Sequence, residues 1–207
     1  MSRLNVSRQR IIQAAIDLFA RHGSARLTVS QLAEAAGVTR ATIYNNGLHP
    51  QTLFQDVCLS LKREMDQRME ASLQGVDDPP RRLIQAVHFY LRRAHEEPQW
   101  ARFFCTFAYN PAMMAELESE YENPLADFHT AIARQRYQLS EVQIMAALGM
   151  VGGTMLSGMF LVLEGRQTWR EASSHLSLLL LRALGLNEAE ITILLAEPLL
   201  DLLPIID

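Results

Sequence analysis

The stretch TVSQLAEAAGVTRATIYNN, residues 28–46, decides how the rest of this chain is interpreted. Its apolar residues from Val29 to Ala36 recur at i, i+3, i+4 and i+7, so they share one face of a helix. Thr28 precedes that run, where its hydroxyl can cap the unpaired N–H groups of the first turn. Gly37 follows the run, where a helix ends in a left-handed conformation that glycine adopts most readily. The pattern predicts a helix, a tight turn and a short second helix.

The second helix is expected to carry polar side chains on its outer face. Val38 and Ile43 supply apolar contacts to the first helix, while Arg40 between them can stay exposed. In this layout the second helix enters the major groove of DNA, where an arginine can donate two hydrogen bonds to guanine. The alternative is an ordinary helical hairpin inside an all-α core, which the combined spacing disfavours. We expect these residues to contact DNA: Thr28, Thr39, Arg40, Thr42, Tyr44, Asn45, Asn46 and His49.

The flanking segments extend this pattern. The segment RQRIIQAAIDLFARHG, residues 8–23, predicts an amphipathic helix, and a further helix is predicted to begin near Leu53. Their order resembles the N-terminal domain of the TetR family of bacterial transcription regulators over roughly residues 1–60. The resemblance implies an all-α fold, in which a three-helix helix-turn-helix DNA-binding domain joins a larger helical ligand-binding and dimerisation domain.

The turn after the second helix departs from the family's pattern. After its tyrosine the family usually has an aromatic residue, a polar turn and a lysine, where this chain runs from Gly47 to Pro50. Gly47 can end the second helix and Pro50 suits the first turn of the next one, so the turn is expected to keep its shape. The missing lysine typically touches the DNA backbone. We expect Asn45, Asn46 and His49 to replace part of that contact.

The charge of the chain is unevenly distributed. Residues 1–49 contain six arginines against one aspartate and one glutamate, a net charge of +4. The whole chain carries −4, so the remainder carries −8. A basic end on an acidic body is the expected distribution when only one end meets phosphate, although small counts also allow chance asymmetry.

Beyond residue 50 the sequence predicts one helix after another and no alternating strand pattern. Breaks are predicted at GVDDPP (residues 75–80), at Pro98, and at the Asn-Pro pairs at 110–111 and 123–124. We predict two domains. Residues 1–49 form a helix-turn-helix head, with the start of a connecting helix to about residue 64, and residues 65–207 form a helical effector-binding and dimerisation body.

Residues 144–163, IMAALGMVGGTMLSGMFLVL, are twenty residues without a charge. Such a run could span a bilayer, but it lacks flanking aromatic residues on both sides and a basic cluster, and amphipathic helices surround it. A helix that is apolar all round can instead be buried on every side. The family resemblance implies that the last two long helices pair across a two-fold axis, so we expect no membrane partner. The expected dimer interface residues are Ala146, Gly149, Gly153, Ser157, Leu176 and Leu180.

Aromatic and sulfur-containing side chains are concentrated between Trp100 and Met114. At helical spacing such a stripe can be plain core, but the resemblance implies an effector pocket here. Candidate polar anchors for an effector are His88, Arg92, His95 and His129. The effector would then be mainly apolar or aromatic, with one anionic group. The expected pocket residues are His88, Phe89, Arg92, Trp100, Phe103, Phe104, Phe107, Met114, Tyr121, Phe128, Met155 and Met159.

The sequence offers little for catalysis or metal binding. The six histidines include no HxxxH or HExxH arrangement, and no GxSxG, P-loop or GxGxxG segment is present. We therefore expect no enzyme activity, no metal and no cofactor. Cys58 and Cys105 form no CxxC pair and are interpreted as small buried hydrophobic residues. No signal peptide is recognised at the start, which favours the cytoplasm.

These observations predict a ligand-responsive transcription regulator, most simply a repressor, that binds a palindromic operator as a homodimer. Its partners would be double-stranded DNA, a small-molecule effector and a second copy of the chain. One rival hypothesis is a helical binding or sequestering protein with weakened or lost DNA binding. The other is an enzyme in the aromatic pocket, which would need a catalytic constellation that the sequence does not show.

Overall fold

The computed structural model of the protein describes residues 3–22, 28–47, 53–108 and 122–204. Within these ranges every regular element is a helix, which confirms the predicted all-α fold. The helices are α1 (Arg3–His22), α2 (Val29–Ala36), α3 (Arg40–Asn45), α4 (Leu53–Ser72), α5 (Pro79–Glu96), α6 (Pro98–Ala108), α7 (Glu122–Ala133), α8 (Ile144–Leu163), α9 (Trp169–Ala183) and α10 (Glu188–Ala196).

Prolines mark the helix starts much as the sequence predicted. Pro79 opens α5 and Pro98 opens α6 directly after it. Pro124 lies in the first turn of α7 rather than between helices, since a proline there removes no intrahelical hydrogen bond. The predicted helix start at Pro50 and the predicted break at residues 110–111 lie outside the described residues.

Local capping bonds set the helix-turn-helix. The Thr28 hydroxyl accepts from the Gln31 backbone N–H at 3.2 Å, and the Thr28 N–H donates to Gln31 Oε1 at 2.9 Å, which together form a capping box. Gly37 ends α2 with φ +62°, as predicted. Thr39 then caps α3 by accepting from the Thr42 N–H at 3.1 Å. These bonds fix where each helix begins before any tertiary packing is considered.

A small apolar core holds the first three helices together. Successive turns of α1 contribute its largest members, and α3 contributes a single buried residue because it is so short. The buried core residues of this region are Ile11, Ala14, Ala15, Ile16, Phe19, Leu32, Ala33, Ala36 and Ile43.

Helix α5 is the centre of the larger domain and contacts α6, α7, α8, α9 and α10. Its residues Val87, Phe89 and Leu91 are completely buried. Helix α8 crosses close to it at Gly158, where an added Cβ would lie 2.5 Å from Leu176 Cδ1 and 2.8 Å from Leu91 Cδ2. The absence of a side chain at Gly158 thus gives Leu91 and Leu176 room to pack against α8, and a larger residue there would have to move both leucine side chains.

The first three helices are joined to the larger domain directly through α1 and indirectly through α4, which contacts α1. The Phe19 ring of α1 and the Phe103 ring of α6 lie 5.6 Å apart between centroids, and both side chains are buried. Arg93 of α5 donates to Glu64 of α4 at 2.8 Å and lies 4.2 Å above the Trp100 ring of α6. The helix-turn-helix is therefore attached through α1 and α4.

The extended segment after α10 is held against α4 and α5 by hydrogen bonds with side chains of those helices. The buried side-chain amide of Gln85 donates to the Pro198 carbonyl at 3.3 Å and accepts from the Leu200 N–H at 2.9 Å. The Ser72 hydroxyl accepts from the Leu203 N–H at 2.8 Å. These bonds satisfy backbone groups that have no partner within a regular element.

Helix α8 is exposed along one side. By length and composition, the segment Glu141–Leu163 is the one helix of the described residues that could cross a membrane, and 28% of its most apolar window is buried. Its inner side packs on α5 and α9. Large apolar side chains are exposed on its outer side, at Met145, Met150 and Phe160, and in the single turn that precedes it, at Val142.

Replacing Gln85 with alanine is expected to destabilise the protein by about 1–3 kcal/mol, because it leaves the Leu200 N–H and the Pro198 carbonyl without partners. The free energy of unfolding in urea would measure this. The exposed Gln99 supplies the control, since Gln99→Ala should change that free energy by less than about 0.5 kcal/mol. Equal stability of Gln85→Ala and wild type would contradict the role given to these bonds.

Candidate nucleic-acid interface and ligand pocket

Helix α3 presents a polar outer surface. Ile43 is 1% exposed and points into the core, while Arg40 and Asn45 are exposed and Tyr44 is 49% exposed. Among the described residues, no hydrogen bond or ion pair holds the Arg40 guanidinium. All five of its N–H groups can therefore reach a ligand outside the chain.

Several residues predicted to contact DNA already bond within the chain. Thr28 uses both its hydroxyl and its N–H on Gln31, and Thr39 caps α3 with its hydroxyl 2.9 Å from that of Thr42. The Asn46 amide donates to the Thr42 carbonyl at 2.7 Å. These side chains shape the turn first and have less capacity left for phosphate. His49 lies outside the described residues.

The sequence reasoning missed Arg10. Its Nη2 lies 3.5 Å from the Gly37 carbonyl oxygen, at the turn between α2 and α3, and 2.8 Å from where a Cβ on Gly37 would stand. A basic residue one helix upstream gives no local signal of this contact. It places a further positive charge beside the helix-turn-helix.

A cavity of about 300 Å³ lies in the larger domain. Residues from α4, α5, α7 and α8 form its walls, and Phe104 of α6 adds one aromatic face. Most of the lining is apolar. The apolar lining residues are Met69, Leu73, Pro79, Leu83, Ala86, Tyr90, Phe104, Pro124, Phe128, Tyr137, Leu148, Gly149, Val151, Gly152, Gly153, Met155 and Leu156.

Three of the residues predicted for a pocket line this cavity: Phe104, Phe128 and Met155. Trp100 stands behind Phe104, with the two rings stacked 5.2 Å apart. Phe103 turns to Phe19 of α1, as described above. Phe89 and Met159 are fully buried in the core and do not line the cavity. The Phe107 side chain, Met114 and Tyr121 lie outside the described residues.

The structure corrects the predicted anchors, because none of the four lines the cavity. His88 is 2% exposed and its ring lies 5.2 Å from that of Trp169 in α9. Burial, and then the nearby Arg92, lower the pKa of His88, so it stays neutral at pH 7. Arg92 forms ion pairs with Glu96 and with Asp201 of the C-terminal segment. Both residues face the C-terminal segment and α9 because α5 turns that side away from the cavity.

Charged residues that the sequence analysis did not select lie at the cavity instead. Lys62 and Asp66 of α4 form an ion pair at 2.5 Å. Arg82 of α5 pairs with Asp127 of α7 at 2.8 Å and approaches Glu70 of α4 at 3.6 Å. In the sequence these residues look like the solvated faces of two amphipathic helices, so no local signal separates them from ordinary surface.

The face predicted to form a dimer is exposed over most of its length. Ala146, Gly149, Gly153 and Ser157 are all exposed, and Leu176 is half-buried. The prediction for Leu180 is corrected, because that residue is 2% exposed in the chain's own core. Its neighbour Leu179 is 55% exposed, so the helix register places the outward position one residue earlier. The exposed Phe160 of α8 extends the apolar face.

Neither metal chemistry nor thiol chemistry is built into the described residues. No group of three metal-ligating side chains occurs among them. Both cysteines are buried, as predicted. Burial raises the pKa of the Cys105 thiol to about 11 and also raises that of Cys58, so both stay protonated and unreactive near neutral pH.

A helix-turn-helix with an exposed short helix, joined to a helical domain that contains an apolar cavity, defines a DNA-binding transcription regulator. Residues 11–46 match the family of bacterial regulatory proteins, tetR family, and residues 78–195 match the tetracyclin repressor-like C-terminal domain. The chain therefore belongs to the TetR family. It is a transcription regulator and not an enzyme.

Known relatives agree with this assignment. The chain is 28% identical over 141 residues to the nucleoid occlusion factor SlmA of Marinobacter nauticus. The matched residues cover 68% of this chain and 70% of that protein. It is 28% identical over 117 residues to the probable acrEF/envCD operon repressor of Escherichia coli K12, covering 53% of this chain and 52% of the repressor.

Solved structures share the fold at lower identity. RolR in complex with resorcinol has a TM-score of 0.68 at 19% identity, covering 96% of this chain and 97% of that one. A putative tetR family transcription regulator from Shewanella sp. PV-4 has a TM-score of 0.75 at 19% identity, covering 87% of this chain and 99% of that one.

Replacing Gly152, which lines the cavity, with leucine is expected to weaken ligand binding in the cavity without damage to the fold. A Cβ on Gly152 would meet no atom within 4 Å, and leucine favours a helix over glycine by about 0.5–1 kcal/mol. We expect Gly152→Leu to weaken binding of the neutral apolar dye N-phenyl-1-naphthylamine by roughly tenfold or more. Fluorescence titration measures this, and Gly152→Ala, which adds one methyl group, should bind the dye nearly as wild type does. Equal affinity of the leucine variant would place the dye outside this cavity.

Proposed function

We propose that this regulator is a homodimeric repressor that leaves a palindromic operator when a mainly apolar or aromatic effector occupies the cavity. The observation that carries the proposal is that α4 forms one wall of the cavity and also contacts α1. A molecule bound against Met69 of α4, and against Leu73 directly after that helix, presses on the helix that holds the DNA-binding head. Ligand occupancy and head position are thereby linked through one rigid element.

A second connection runs through α6. Phe104 lines the cavity, and the preceding residue, Phe103, contacts Phe19 of α1. The two side chains lie on neighbouring sides of one helix, since consecutive residues are about 100° apart. If a shift of Phe104 moves α6, it therefore also displaces Phe103 against Phe19 in the core of the head. This contact supports the same direction of signalling as α4 does.

The proposed boundary between head and body follows the connecting helix. The head comprises residues 1–49 and the start of α4 to about residue 64, and the body comprises residues 65–207. The ion pair of Glu64 with Arg93 supports this division, because it is where α4 joins the body. Movement of the head relative to the body would then bend or tilt α4 near this pair.

For DNA, we assign base readout to Arg40 and backbone contacts to the residues around it. The exposure of Tyr44 and Asn45 supports phosphate contacts from the same helix. Thr28, Thr39, Thr42 and Asn46 would act through the turn geometry that they stabilise and through whatever hydrogen-bonding capacity remains. His49 would complete the contact in the place of the family's usual lysine.

For the dimer, we propose a four-helix bundle made by α8 and α9 of two copies. The exposed apolar side chains on this face, including Met145, Phe160 and Leu179, support the assignment. Ala146, Gly149, Gly153, Ser157 and Leu176 would lie within or beside it. Two heads about 34–36 Å apart would then read successive major grooves of a palindrome. Such a regulator acts where the chromosome lies, in the cytoplasm.

Replacing Arg40 with alanine is expected to weaken specific DNA binding by about 1–3 kcal/mol, roughly 5- to 150-fold, if the guanidinium makes a bidentate contact with guanine. Electrophoretic mobility shift with the DNA upstream of the protein's own gene, at a stated salt concentration, measures this. The exposed body residue Arg166 supplies the control, because Arg166→Ala makes the same charge change away from the head.

The same assay tests the wider proposal. If wild type and the Arg166→Ala control both form a complex with two chains per DNA site, the result supports a dimeric DNA-binding regulator. A wild-type protein that shifts no upstream DNA even at low salt would favour the alternative, a helical protein that binds or sequesters a small molecule. Full specific affinity of Arg40→Ala would remove that residue from base readout.

A further inference from the structure

The charged residues at the cavity carry an excess of negative charge. Among the described lining residues, two are cationic, Lys62 and Arg82, and three are acidic, Asp66, Glu70 and Asp127. The electrostatic preference of this region is therefore set by carboxylates.

Both cations are already committed to partners within the protein. The Lys62 side chain is 11% exposed, and its ammonium donates to Asp66 at 2.5 Å. Two of the three nitrogens of the Arg82 guanidinium donate hydrogen bonds within the protein, and the third lies near a carboxylate. Nε donates to Asp127 at 2.8 Å, Nη1 donates to the Val76 carbonyl at 3.3 Å, and Nη2 lies 3.6 Å from Glu70.

An anionic ligand would therefore meet an unfavourable site. To bind Arg82 or Lys62 it would have to displace Asp127 or Asp66, which would leave that carboxylate without its partner beside a second negative charge. The field around Tyr137 agrees with this. Burial, followed by the nearby Asp127 and Asp78 carboxylates, raises the pKa of its phenol, so the group remains a neutral hydroxyl.

A cation would meet the opposite situation. The Glu70 side chain is 60% exposed at the rim of the cavity, and its ion pair with Arg82, at 3.6 Å, is longer than a hydrogen bond. Two aromatic rings, Tyr90 and Phe104, line the same cavity with centroids 5.6 Å apart. Aromatic faces attract cations, and the remaining lining is apolar enough to hold a hydrocarbon body.

We propose that the effector is an apolar organic cation, such as an aromatic amine or ammonium compound, whose charge is recognised at Glu70 and whose rings fill the cavity between α4, α5 and α8. The inference rests on the proposed function, in which this cavity is the effector site. It replaces the anionic group expected from His88 and Arg92, since those residues face the other side of α5.

Three biphenyl compounds of nearly equal size separate the possible charges. Biphenyl-4-ylmethylamine is a cation at pH 7, biphenyl-4-ylmethanol is neutral and biphenyl-4-carboxylate is an anion. Each would displace N-phenyl-1-naphthylamine from the full-length protein, and the fluorescence decrease gives its affinity. We expect the amine to bind most tightly and the carboxylate most weakly. A carboxylate that binds as tightly as the alcohol would overturn the inference.

Glu70→Gln tests the residue assigned to the charge. We expect this variant to bind the amine roughly two- to fivefold more weakly, the size of an exposed ion pair, and to bind the alcohol unchanged. Glu164→Gln removes an exposed carboxylate at the end of α8 and should change neither affinity. Equal amine affinity in Glu70→Gln and wild type would contradict the assignment.

The outcomes also distinguish this inference from the proposed function. If the dye and the alcohol bind, and Gly152→Leu blocks both, the cavity stands as a ligand site even when the amine shows no advantage. If wild type binds neither the dye nor any biphenyl, the cavity fails as an effector site and the inference fails with it.

Discussion

The buried guanidinium of Arg93 is the interaction on which the connection between the two ends of the molecule depends. It is 5% exposed, pairs with Glu64 of α4 and Glu97 at the end of α5, and lies over the Trp100 ring of α6. A buried charge is tolerated only when it is paired, so α4 and α6 must stay near α5 to provide the partners. The helix that leads to the head and the helix that touches it through Phe103 are thus held by one side chain.

The same arrangement explains how a mostly apolar cavity can coexist with five charged residues in its lining. The pairs Lys62–Asp66 and Arg82–Asp127 neutralise most of that charge within the protein. They also tie α5 to α7 and stiffen α4 along one face. Only Glu70, at the exposed rim, lacks a hydrogen-bonded cation among the described residues. The cavity therefore keeps an apolar interior and one polar side, which is the usual composition of a small-molecule site.

The sequence predicted those features that are determined over a few residues. Thr28 and Gly37 have the same roles in the structure as in the sequence, because a capping bond and a left-handed glycine act within one turn of helix. The sequence predicted less well which way the side chains of the longer helices face. His88 and Lys62 could each have faced the cavity by spacing alone, and Leu180 differs from Leu179 by a single register step. Such choices depend on how five helices pack around α5, which no local pattern in one sequence specifies.

Helix α6 shows why this packing matters for signalling. Phe104 and Phe103 are consecutive, yet one ring lines the cavity and the other lies in the core shared with α1. Trp100 stacks on Phe104 one turn earlier, beneath Arg93. Each of these side chains is in contact with the next, so a displacement of Phe104 by a ligand in the cavity would be passed to Trp100 and to the Arg93 contacts that hold α4.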